Sequence, residues 1–200
     1  MMLKERRLEQ VFQSGIEVFS QKGFHKASIS DIVRRAGIAR ATFYLYFKNK
    51  RHLLSRLLGY LLQELDQRIK SIELGEGQPP PLEQLRANLT RIITFGLEEP
   101  QLIQMLFRHD VGLDEDLDQE LHRFYERVTD RIEWALRLGI EMGLVRACHT
   151  KVIAYSVLGG IKEVMKQIAS KQISALDVQA TVESLLEFGL RGVLVGSVER

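Results

Sequence analysis

Apolar side chains recur along this chain at spacings of three and four. Leu8, Val11, Phe12, Gly15 and Phe19 trace one stripe, Leu54, Leu57, Leu58, Leu61 and Leu65 a second, and Leu117, Leu121, Phe124, Val128, Ala135 and Leu138 a third. That rhythm keeps one face of a helix apolar, and no stretch alternates with the period of two that a half-buried strand requires. The pattern predicts an all-α chain. The only prolines are Pro79, Pro80, Pro81 and Pro100, so nothing between Gln101 and Arg200 forbids a long helix. The stretch from Gly75 to Pro81 reads as a connector between two helical blocks, and Gly23 falls where the residue just past a helix end belongs. Helices are predicted near 4–21, 29–36, 40–46 and 50–72, then near 82–97, 101–110, 115–140, 150–171 and 176–195. No internal repeat of solenoid length interrupts this order.

The most informative segment is Ser28 to Phe47. Ser28 with Asp31 three residues on reads as a capping box, which starts a short helix and sets a carboxylate at its positive end. Ile32 and Val33 give that helix an apolar face, Ala36 is small enough for a neighbour to approach, and Gly37 permits a turn with positive φ. Ile38 then drops into the turn, which makes the unit a helix-turn-helix. In the second short helix Phe43 and Phe47, four apart, share the face that packs on the first. Arg40, Thr42, Tyr44 and Tyr46 are left on the other sides. Arg40 can reach base edges or a phosphate, and the three hydroxyls are natural phosphate donors. Lys48 and Lys50 add ammonium groups at the start of the next helix. The alternative, a packing unit whose aromatics are all core, suits Phe43 and Phe47. It suits the two tyrosines poorly, because burying them beside three cations is costly.

Charge distribution sharpens this. Residues 1–50 carry ten basic side chains against four acidic ones, a balance of +6, whereas the rest carries eighteen against twenty-two, a balance of −4. A basic head on an acidic body is what a polyanion-binding end requires, and the overall net charge of +2 conceals it.

The run from Ile16 to Leu54 resembles the TetR family of bacterial transcriptional repressors. The resemblance rests on Phe19 to Phe24, the Ser28/Ile32 entry, the Ala36-Gly37-Ile38 turn and Thr42-Phe43-Tyr44-Leu45-Tyr46-Phe47-Lys48-Asn49-Lys50 continuing into Leu53. It implies that the second short helix is a recognition helix in the major groove. Positions matching Thr42, Tyr44, Tyr46 and Lys48 commonly contact DNA in that family. With Ser28 and Arg40, these are the expected DNA-binding residues. Two departures stand out: Ala39 where the family often has Ser or Thr, which removes a phosphate-binding hydroxyl, and Leu45 where it often has an aromatic. The expected organisation is a DNA-binding domain at 1–48 and a larger helical bundle for dimerisation and effector binding at 49–200.

The last two predicted helices carry apolar residues on more than one face, including Val157, Ile161 and Val164 in one and Val182, Leu186 and Leu190 in the other. Helices apolar around so much of their circumference need cover on both sides. Monomer core satisfies that need, and so does a two-fold dimer interface, which the resemblance favours. Phe95, Met105, Phe124, Trp134 and Tyr155 are candidates to line an effector cavity, though ordinary core explains most of them equally well. The resemblance implies a small-molecule effector, and the apolar lining leans toward a hydrophobic one.

Several chemistries are set aside. Cys148 is the only cysteine, which excludes an internal disulfide framework and a cysteine metal cluster and is compatible with a reducing cytosol. The acidic run from Asp114 to Glu120 lacks a calcium loop's glycine, since Gln119 holds that position. No nucleophile elbow, phosphate-binding glycine loop or dinucleotide fingerprint occurs, so neither enzyme activity nor a cofactor is expected. Met1 to Arg7 is charged where a signal peptide is apolar, and Val152 to Ile161 is too short to span a bilayer. The expectation is a cytoplasmic homodimer that binds palindromic double-stranded operator DNA, acts as a repressor and is released by an effector. Two rivals stay open: a helical ligand-binding or scaffold protein with a vestigial head, and an activator with the same chemistry.

Overall fold

A computed structural model describes residues 2–108, 115–170 and 177–191. Among them the chain forms nine helices and no strand: α1 (Met2–Lys26), α2 (Ile29–Ala36), α3 (Arg40–Tyr44), α4 (Lys50–Arg68), α5 (Pro81–Glu98), α6 (Pro100–Arg108), α7 (Glu115–Glu141), α8 (Thr150–Ala169) and α9 (Val178–Arg191). None of them is long and apolar enough to cross a membrane.

The first three helices form the head. At Gly23 (φ 73°, ψ 164°) α1 leaves helical geometry and kinks before continuing to Lys26, five residues beyond the expected end. Helix α2 has the predicted bounds. The Asp31 amide donates to Ser28 Oγ (3.1 Å) while Asp31 Oδ2 accepts from the Ser28 amide (3.0 Å), and Gly37 closes the other end in the left-handed region at φ 63°. Helix α3 is a single turn plus a residue, shorter than expected, because Leu45 to Asn49 turn away to start α4.

Helix α4 joins head to body. Leu53, Leu54, Leu57, Leu58, Leu61, Leu62 and Leu65 are all buried, and its neighbours are α1, α5 and α7. Its crossing with α1 is close: a β-carbon at Gly15 would stand 2.9 Å from Leu53 Cδ2 and 3.2 Å from Leu57 Cδ1. The helix stops at Arg68 rather than near residue 72, and side chains from elsewhere explain why. Asn88 accepts from the Lys70 amide (3.0 Å) and donates to the Lys70 carbonyl (2.7 Å), and Gln84 pairs likewise with Glu73 (2.9 and 2.7 Å). These amides of α5 give an extended segment the backbone partners a helix would otherwise supply.

In the body, α5 packs on α8 and α9, α6 on α1 and α8, and α7 on α4 and α8. Polar ties fix these contacts. Arg131 of α7 donates to Asp66 (3.0 Å) and to the Ile69 carbonyl (3.1 Å), Lys151 of α8 to Asp130 (2.8 Å), and Gln104 of α6 to the Ala169 carbonyl at the end of α8 (2.7 Å). Arg86 of α5 pairs with Glu183 of α9. Among the described residues, most of the buried apolar side chains form one continuous cluster from Val11 in α1 to Leu186 in α9. Head and body therefore share a core through α1, α4 and α6.

Candidate nucleic-acid interface

The head turns α3 into a two-sided element. Phe43 and Phe47 are sealed, their rings meeting at 5.5 Å with a tilt of 41° and Phe12 beyond at 5.8 Å, and this aromatic column holds the segment down. On the opposite side Tyr44 and Leu45 are 48% and 78% exposed. The Arg40 guanidinium lies 6.0 Å from the Tyr44 ring centre with a long contact of 3.5 Å to its hydroxyl. An aromatic shelf carrying a cation and a hydroxyl suits a phosphate and the groove beside it.

Of the expected DNA-binding residues, Arg40, Tyr44 and Lys48 are exposed, and Thr42 is half-buried. Tyr46 is half-buried too and packs on the core cluster, so it divides itself between interior and surface. Ser28 is exposed, but its hydroxyl donates to Asp31 (2.8 Å) as well as capping α2. Asp31 also accepts from Lys22 (2.7 Å). That ammonium first, then the Ser28 hydroxyl and amide, pull the Asp31 carboxyl from 3.8 to about 2.

One expectation fails. Lys50, expected to face a duplex, turns inward, and its Nζ donates to the carbonyls of Phe24 (2.8 Å), His25 (3.3 Å) and Ala27 (2.9 Å). Carbonyls at the end of α1 have no intrahelical donor, and a lysine ammonium within reach satisfies them. Sequence reasoning also passed over the start of α4. Asn49 accepts from the His52 amide (2.8 Å), and His52 Nδ1 accepts from the Lys48 amide (3.2 Å), a reciprocal cap signalled by the Asn49-x-x-His52 spacing. Lys26 and Arg34 are further exposed cations of the head that the motif did not single out.

The stretch 12–57 matches the family model described as bacterial regulatory proteins, tetR family, and 78–166 matches that of the tetracyclin repressor-like C-terminal domain. The chain belongs to the TetR family. Its members are transcriptional regulators with a helix-turn-helix, not enzymes. The chain is 48% identical over 64 residues to the uncharacterized HTH-type transcriptional regulator YvdT of Bacillus subtilis, covering 32% of this chain and 33% of that protein. It is 24% identical over 190 residues to YerO of the same organism, covering 92% of this chain and 65% of YerO. The chain thus spans between a third and just under two thirds of these curated relatives. In fold it is similar to FadR of Bacillus subtilis in complex with stearoyl-CoA, with a TM-score of 0.70, 21% identity, and coverage of 92% and 98% of the two chains.

The TetR-type body corrects the sequence reading in two places. Among the residues expected to line a cavity, Phe95, Met105 and Phe124 are buried, but Trp134 and Tyr155 are each 48% exposed. The Tyr155 hydroxyl donates to Glu126 (2.9 Å) across the outer α7–α8 seam, which holds that ring at the surface. Among the residues expected at an interface, Val182 and Leu186 are buried within the chain itself, because this side of α9 faces α5. Val157, Ile161, Val164 and Leu190 are half-buried. The exposed residues of the two helices include Val152, Tyr155, Ser156 and Gly159 of α8 and Ala180, Ser184 and Phe188 of α9.

Proposed function

We propose that this chain is a dimeric one-component regulator, a repressor, that binds palindromic operator DNA through α3 and its flanks and is released by a small-molecule effector. The observation that carries the reading is the division of α3, with two phenylalanines sealed beneath and Arg40, Tyr44 and Lys48 outward. A helix held down by apolar side chains and topped by cations and hydroxyls is suited to a major groove and its phosphates. Arg40 reads bases at the start of the helix, while Thr42, Tyr44, Tyr46 and Lys48 position it on the backbone.

One head spans too few base pairs for a useful operator, and a two-fold dimer places paired heads about 34–36 Å apart on successive turns. The outward face of α8 and α9 supports such a dimer. Phe188 is 83% exposed, and nothing lies within 4 Å of where a β-carbon would stand at Gly159 or Gly189. Helical glycines that clear no neighbour in their own protomer cost stability, and a partner helix approaching closely gives them a purpose. The effector reading draws on the apolar body between α4 and α8, and FadR, of the same fold, holds stearoyl-CoA. A hydrophobic or amphipathic effector fits that setting. A hundredfold loss of DNA affinity needs about 2.7 kcal/mol of coupling, within the usual range. The shared core of α1, α4 and α6 offers the route. The work of such a protein is cytoplasmic.

The test is selection of bound duplexes from a random pool, repeated with acyl-CoA thioesters and other amphipathic ligands. Enrichment of a palindrome that disappears with one ligand supports the reading, and failure to enrich any duplex overturns it.

A further inference from the structure

The helix-turn-helix is a loop whose two ends are fastened by one side chain. Ser28 to Asn49 lies between the end of α1 and the first residue of α4, and Lys50 spans that gap. Its ammonium has three N–H donors, and three carbonyls receive them: Phe24 at 2.8 Å, Ala27 at 2.9 Å and His25 at 3.3 Å. The same nitrogen sits 4.4 Å from the centre of the Phe24 ring. The donors are therefore spent inside the protein, and none is left for a phosphate.

What the staple encloses needs it. Helix α3 has five residues, too few to persist unaided, and Ala39 gives it no side-chain cap. Its direction is set by Phe43 and Phe47 beneath and by where its flanking segments are pinned. Ser28 starts α2 one residue after the Ala27 carbonyl that Lys50 holds, and Asn49 starts α4 one residue before Lys50 itself. A convergent set of three carbonyls suits a compact ammonium and does not suit a planar guanidinium, whose donors diverge in a fork.

Resting on the DNA-binding reading above, we infer that Lys50 is a positioning residue for recognition: it closes the base of the helix-turn-helix, fixes the angle of α3 and makes no phosphate contact. The inference separates from both alternatives. A phosphate contact would survive substitution by arginine and would add to the salt dependence of binding. A purely stabilising residue would change affinity for all duplexes alike.

The experiment compares wild type, Lys50→Arg, Lys50→Met and Lys48→Met by fluorescence anisotropy over a series of potassium chloride concentrations. The probes are the duplex that the wild type enriches from a random pool and an unselected random-sequence duplex. Both Lys50 variants are expected to keep the wild-type salt slope on the unselected duplex and to lose about tenfold of the preference for the selected one. Lys48→Met is expected to lower the slope by about 0.9, the loss of one phosphate. Circular dichroism checks folding, and should Lys50→Met fail to fold, Lys50→Arg carries the comparison. A Lys50→Arg protein with unchanged preference, a Lys50→Met protein with a reduced slope, or equal losses on both duplexes each overturns the assignment. A wild type that binds no duplex in a salt-dependent manner overturns the DNA-binding reading and this inference with it, an outcome distinct from the other three.

Discussion

Phe43 and Tyr44 are neighbours in sequence and opposites in exposure: Phe43 is sealed in the head, Tyr44 keeps 48% of its surface, and their rings meet edge-on at 5.6 Å and 89°. On the proposed reading, the pair separates folding from recognition within one turn of helix. Phe43→Ala removes a buried ring from the column with Phe12 and Phe47 and should cost about 3–5 kcal/mol, read as a fall in unfolding midpoint. Tyr44→Ala removes an exposed ring and should leave the midpoint nearly unchanged while weakening binding of every duplex. Arg40→Ala should instead alter which bases are preferred. Gel shifts in which Tyr44→Ala and Arg40→Ala both match wild type would exclude α3 as the recognition helix.

Asp31 provides a pH signature for the start of α2. Its carboxyl is held at about 2 against an ordinary 3.8, chiefly by the Lys22 ammonium and then by Ser28. A depressed carboxyl favours the folded state fully above the ordinary value and loses that contribution as pH falls through the folded one. The gap in unfolding midpoint between wild type and Asp31→Asn should therefore be constant above about pH 4.5 and shrink toward pH 2. A gap that widens on acidification would contradict the sign of this linkage.

The parts of this architecture that short-range chemistry determines are legible in the amino-acid sequence. A serine and an aspartate three apart, followed by Gly37, bound α2 to the residue, and Phe43 with Phe47 placed the buried side of α3. What escaped was decided by groups distant in sequence. Helix α4 stops early because Asn88 and Gln84, on another helix, capture residues 70 and 73. Lys50 turns inward because carbonyls twenty-three to twenty-six residues earlier lie beneath it. In α9 a helix apolar on several faces reveals that it is covered but not by what, so Val182 and Leu186 looked as eligible for an interface as Phe188. Tyr155 and Trp134 misled for a related reason: aromatic identity suggests burial, yet Glu126 holds one ring at the surface.

Trp134, the only tryptophan, reports on the body directly. With 48% of its surface exposed it should emit as a solvated indole and be quenched readily by acrylamide in the ligand-free protein. An effector seated among Phe95, Met105 and Phe124, all buried, should leave that quenching nearly unchanged unless α7 moves. A blue-shifted, poorly quenched tryptophan in the free protein would mean that something covers this face of α7.

The outward face of α8 and α9 makes opposite predictions for a lone protomer and for a dimer. In a lone protomer Gly159 is an exposed helical glycine with open space around it, and Gly159→Ala should raise stability by roughly 0.5–1 kcal/mol through backbone entropy. In a dimer whose partner helix rests on that glycine, the added methyl holds the helices apart and the sign reverses. Phe188→Glu sharpens the contrast. At 83% exposure the ring contributes little to its own protomer, so the charge should leave helicity intact. Placed between two copies, it would bury a carboxylate without a counter-charge, a cost that association cannot absorb. Sedimentation at micromolar concentration should therefore show a dimer for wild type, a weakened one for Gly159→Ala and a folded monomer for Phe188→Glu. On the proposed reading, in which paired heads bind a palindrome together, the Phe188→Glu monomer should also lose operator affinity while α3 remains untouched. A wild type that sediments as a monomer, with Gly159→Ala more stable than it, would remove the dimer from the proposed function and leave the head to bind alone.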